Sequence, residues 1–76
     1  MIHGIERKGK LIRVEASDNV MVAKVRVTIL DPGGKALEQG DAVQAEGNWW
    51  EYVSSKEGKV AAEAWDLAGN GVRVEG

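Results

Sequence analysis

The sequence predicts an all-β chain: a small β-sandwich of about six to seven antiparallel strands, with a small barrel as the alternative. Three observations predict it. Apolar and polar residues alternate with a period of two, and no stretch carries a sustained helical repeat. The alternating runs are short. Segments bearing Gly, Asp, Asn or the single Pro separate them, and the ten glycines fall almost entirely there.

Residues 1–9 are the least regular and read as an edge strand or an irregular terminus. "KLIRVEA" (10–16) sets Ile12, Val14 and Ala16 on one face, with Arg13 and Glu15 on the other. "VMVAKVRVTILD" (20–31) is the strongest strand signal. Its predicted inner face is Met21, Ala23, Val25, Val27 and Ile29, and Lys24, Arg26 and Thr28 are expected outside. "DPGGK" (31–35) breaks the strand, because Pro32 fixes φ and the glycines admit positive φ. A turn at Gly40-Asp41 precedes a short strand, "AVQAE", and "EGN" (46–48) introduces "WWEYVSS". After the turn "KEGK" (56–59), Val60, Ala62 and Ala64 share a face, and Glu63 and Trp65 share the other. Ala68 to Gly71 read as a tight turn, with the Asp66 carboxylate accepting from a backbone N–H within Leu67–Gly71. "VRVE" (72–75) is the last strand. Together these elements make one domain over residues 1–76.

Composition narrows the function classes. Without cysteine the chain has neither disulfides nor thiolate metal sites. Ten basic and twelve acidic residues leave a net charge of −2, unlike the basic excess that nucleic-acid binding draws on. The one basic cluster, Arg7, Lys8, Lys10 and Arg13, is interleaved with Glu6 and Glu15 and reads as a solvated strand edge. No apolar run is long enough for membrane insertion, and the first residues lack the apolar core of a signal peptide. No compartment follows from this: cell surface or secreted as a piece of a larger protein, cytoplasmic otherwise. An enzyme is not expected. His3 is the single histidine, no serine (Ser17, Ser54, Ser55) has a histidine near it in sequence, and no nucleophile elbow or phosphate loop is present.

Two segments carry a resemblance. "SDNVMVAKVRVTI" (17–29) and "GKVAAEAWDLAGNGVRV" (58–74) resemble strand C and strands F–G of bacterial immunoglobulin-like modules related to fibronectin type III. The shared pattern is an Asp-Asn before a valine-rich strand, then small alternating residues leading into Asp-x-Ala-Gly-Asn. The resemblance implies an immunoglobulin-like sandwich in a bacterial surface or secreted protein. Such a module is a non-enzymatic spacer or interaction unit for a protein or carbohydrate partner. A rival segment, "LEQGDAVQAEGNWWEYVSSKEGKV" (37–60), is similar to SH3-like barrels and implies peptide binding across Trp49 and Trp50.

In the immunoglobulin-like frame the loops holding Asp18, Asn19, Asp66 and Asn70 lie at one end, which makes them calcium candidates. Asp and Asn also form turns with their own backbone, and that reading is preferred, with no cofactor expected. Trp49 and Trp50 point to opposite faces of one strand, so one is core and the other more exposed. Trp65 is expected on an outer face beside Lys24 and Arg26, and these three with Trp49 are the partner-binding candidates.

Overall fold

The structure, a computed structural model, describes residues 1–17 and 21–76. They form eight strands and no helix: β1 (Ile2–Lys8), β2 (Leu11–Ala16), β3 (Val22–Leu30), β4 (Ala36–Asp41), β5 (Val43–Gln44), β6 (Trp49–Val53), β7 (Lys59–Asp66) and β8 (Gly71–Glu75). All pairings are antiparallel, in two four-stranded sheets ordered β1-β2-β6-β5 and β4-β3-β7-β8. The chain is an all-β small sandwich rather than a single closed barrel. Residues 2–8 are an edge strand.

Eight strands replace the six or seven expected because Gly40-Asp41 is not a turn. Both residues belong to β4, opposite Val27 and Arg26. Gly40 marks a close approach instead: a Cβ there would lie 2.6 Å from Cε1 of Tyr52. The chain then bends at Ala42, whose N–H donates to the Val25 carbonyl at 2.8 Å, and crosses to the other sheet as β5.

Strands β4 and β5 run in the same direction, each antiparallel to its own neighbour. Eight strands therefore make only seven passes along the sandwich. An odd number of passes makes β1 and β8 run in the same direction. Ile2 lies across from Ala16, and Gly76 donates to the Val60 carbonyl and packs beside Ile5, midway along β1. The nine residues of β3 reach about 30 Å at 3.3 Å per residue. That accounts for most of the 34 Å long extent of the molecule.

Both sheets supply the core. Ile12, Val14, Ala16 and Trp50 come from the first, and Val25, Val27, Ile29, Val60, Ala62 and Ala64 from the second. Alternation predicts these residues because one face of each strand is sealed against the other sheet. It fails at the start of β3. A bulge at Ala23 separates the pairs Val22–Asp66 and Lys24–Trp65, so the faces exchange there. Val22 packs on the core, while Met21 and Ala23 are exposed. Thr28 was expected in solvent but is buried on the outer face, where Gln39 Nε2 donates to its hydroxyl at 3.0 Å.

Candidate functional site

The outer face of the β4-β3-β7-β8 sheet carries three of the four expected partner-binding residues. Register places Lys24 opposite Trp65, and Arg26 between Asp41 and Glu63. The Lys24 ammonium and the Arg26 guanidinium lie 5.8 and 5.5 Å from the Trp65 ring centroid. Asp41 Oδ1 faces both cations, 3.6 Å from Lys24 Nζ and 3.8 Å from Arg26 Nε. Each cation–π contact is worth about 0.5–1 kcal/mol at such a site, and each exposed ion pair about 0–1 kcal/mol. These side chains first serve one another. The ion pairs continue across the sheet, from Arg73 to Glu63 at 3.4 Å and to Glu75 at 3.7 Å.

The other sheet repeats the device. Arg13 sits 4.5 Å above the Trp49 ring, between Glu51 at 3.3 Å and Glu6 at 3.7 Å. Trp50, the next residue, points inward and is 8% exposed. The two indoles lie on opposite faces of β6 and line no common groove. A peptide groove shared by both tryptophans, as the SH3-like resemblance implies, is not formed by these two side chains.

Asp66 and Asn70 form one closed unit at the pole where β2 ends and β3 begins. The Asn70 N–H donates to Asp66 Oδ1 at 2.9 Å, and Asn70 Nδ2 donates to Oδ2 at 3.2 Å. In return the Asp66 N–H donates to the Asn70 carbonyl at 2.9 Å. The Asn70 N–H above all holds the Asp66 carboxyl below the usual range, against the opposing effect of burial. Both carboxylate oxygens are thus engaged in closing the turn. Asp18 and Asn19, the other calcium candidates, lie outside the described residues. Among the described residues no three His, Cys, Asp or Glu side chains gather as a cation site would require.

The same pole holds a shallow pocket of about 220 Å³ lined by Ala16, Ser17, Met21, Val22, Gln44, Asn48 and Trp50. His3 Nε2 meets Ser17 Oγ at its edge, a contact between residues that are distant in sequence. Among the described residues His3 bonds no carboxylate that would orient its ring, as a nucleophile-activating histidine needs.

The opposite pole holds a cluster that strand alternation gave no sign of. The Tyr52 hydroxyl donates to Glu38 Oε2 at 2.6 Å, tying β6 to β4 across the sandwich edge. This bond, then one from Ser54, lowers the Glu38 pKa, and the same carboxylate raises that of Tyr52. Arg7 donates to the carbonyls of Gly9, Ser54 and Lys56, stitching the β1–β2 turn to the β6–β7 loop. Gly40 hid this cluster in the sequence by reading as a turn; in the fold it is a glycine inside a strand, and Tyr52 leaves no room there for a side chain.

Comparison of the chain with protein-family models, curated proteins and solved structures gives no match.

Proposed function

We propose that the chain is a non-catalytic, immunoglobulin-like module of a bacterial surface or secreted protein, acting as a spacer or interaction unit. The observation that carries this reading is that β1 enters and β8 leaves the sandwich in the same direction, so the chain runs on rather than turning back. A unit of that kind joins to its neighbours without folding the chain back on itself. The sheet order supports the family. With β4 set beside β3, the remaining strands run β1-β2-β6-β5 opposite β3-β7-β8, the order A-B-E-D opposite C-F-G of constant-type immunoglobulin domains. The ion-paired outer faces favour spacing as the basic role, since their charges already have partners. A protein or carbohydrate contact at Lys24, Arg26 and Trp65, or at Trp49, is the second role.

Two copies joined head to tail through their own ends test the reading. Small-angle scattering is expected to show a maximum dimension roughly twice that of one copy, with each copy melting as it does alone. A compact pair, or a pair in which the junction unfolds one copy, counts against it.

A further inference from the structure

A sheet edge offers its backbone to another strand unless the edge is short, bulged, charged or covered. The two sheets end on β1 and β5, and on β4 and β8. β5 has only two residues, and the ladders of β1 and β4 each carry a register shift. β8 is five residues long, holds no proline and pairs with β7 without a shift. All of it is exposed except the half-buried Val74. Among the described edges it is the one best formed to take a further strand.

Two bonds fix which of its backbone groups face outward. The Asp66 N–H donates to the Asn70 carbonyl, and the Gly76 N–H donates to the Val60 carbonyl. Antiparallel ladders alternate, so Asn70, Val72, Val74 and Gly76 turn their backbone toward β7. The N–H and C=O groups of Gly71, Arg73 and Glu75 point the other way. The side chains of Val72 and Val74 lie on the core side, opposite Ala64 and Ala62, yet Val72 is 39% exposed. The core is partly open along this edge.

The outer face adds a charge pattern. One row across the sheet reads Asp41, Arg26, Glu63, Arg73, each opposite the next by register. Its signs alternate, and it stops at the edge on a cation. Glu75 is the next outward residue of the same strand. Two copies related by a two-fold axis bring β8 antiparallel to β8. Registers that face Arg73 with Arg73, or Glu75 with Glu75, set like charges opposite each other, which destabilises the pairing. The register centred on Val74 faces Arg73 with Glu75 on both sides of the axis. It continues the alternating row with an anion and sets Val74 opposite Val74.

We propose that β8 is the pairing edge for a second copy of this chain, with Arg73 of each copy opposite Glu75 of the other. The strand itself selects that occupant: reversed about Val74, it is its own charge complement. Each Arg73–Glu75 pair then exchanges both outward backbone bonds, and the second β8 lies beside the exposed Val72. Two four-stranded sheets become one continuous sheet. The interface is small, well under the roughly 800 Å² per partner of a stable complex, so the dimer is a weak one that forms at high local concentration. The spacer reading does not depend on it.

The test is sedimentation equilibrium with amide chemical shifts, over dilutions from about 1 mM, where a contact of this size associates. The wild type is expected to dimerise reversibly, with concentration-dependent shifts concentrated at Gly71–Gly76. Arg73→Glu and Glu75→Arg should each weaken self-association about tenfold, since both attractive pairs become repulsive. Mixed together, the two variants should associate about as tightly as the wild type, because every cross-strand pair is again opposite in sign. Glu75→Pro, which removes an outward N–H and no bond to β7, should stay monomeric. A wild type that remains monomeric at about 1 mM overturns the proposal. So do shifts that fall on another face, or a mixture that associates no better than either variant alone.

Discussion

The indole of Trp65 lies across the backbone of Gly71, its cross-strand partner. A Cβ on Gly71 would fall 2.7 Å from the indole Nε1. Trp65 thus supplies the side-chain cover that a glycine in β8 lacks. It follows that Gly71→Ala forces the ring off the strand, at a cost of about 1–3 kcal/mol, the usual range for overpacking. With Trp65 already replaced by Ala, the same change should cost little. A double-mutant cycle by chemical denaturation measures that coupling; additive costs would show that the ring does not rest on Gly71.

Trp50 and Trp65 should differ sharply in what they hold. Trp50→Ala removes a core side chain and is expected to cost about 3–5 kcal/mol, enough to leave so small a domain largely unfolded. Trp65→Ala, on an outer face, should cost less and leave a cooperative melt. Val27→Ala, at a fully buried position, should fall between them at about 1–3 kcal/mol.

Asp66 makes stability depend on acid. Its carboxyl titrates below the usual range in the folded chain, so its contribution is complete above the unfolded value of about 3.9. That contribution is lost as pH falls through the folded value. Asp66→Ala should lower Tm at pH 7 by about 4–8 °C, the shift a lost capping bond gives in a domain of this size. The gap between wild type and variant should narrow below pH 4. A gap that stays constant to pH 2 would mean that the ionised carboxylate is not what closes the turn.

Tyr52 is the only tyrosine in the chain, so its ionisation can be followed by ultraviolet absorbance alone. It should titrate above its ordinary value of about 10, because its proton is held by Glu38. In Glu38→Gln the midpoint should return toward 10. In the wild type the bond contributes stability below the unfolded value and loses it as pH rises through the folded one. An unchanged midpoint in the variant would place the hydroxyl elsewhere.

Calcium is expected to leave Tm unchanged at millimolar concentration, with and without EDTA, because Asn70 already occupies both oxygens of Asp66. A rise reversed by EDTA would mark a cation site at that pole, since a ligand that binds only the folded chain stabilises it.

Much of this architecture was legible in the residues, and its failures have local causes. Val25, Val27 and Ile29 read correctly because they lie beyond the Ala23 bulge. Met21 and Ala23 were misread because one inserted residue reverses every face before it. Gly40-Asp41 imitates a turn in composition, and only the ring of Tyr52 explains a glycine inside a strand. The Asp66 turn was visible because its partners are four residues away. The His3–Ser17 contact was not, because it depends on strand pairing that brings distant segments together.

The shared direction of the first and last strands also decides how the molecule meets force. Tension applied at Ile2 and Glu75 pulls β1 and β8 lengthwise in opposite senses along the sandwich. The hydrogen bonds joining them to β2 and β7 lie across the strands, so they share the load as a sheared set. Were the two strands opposed in direction, the same pull would open those bonds one after another, like a zip. The bend at Ala42, which turns eight strands into seven passes, is therefore what makes this a fold that resists being stretched from its ends.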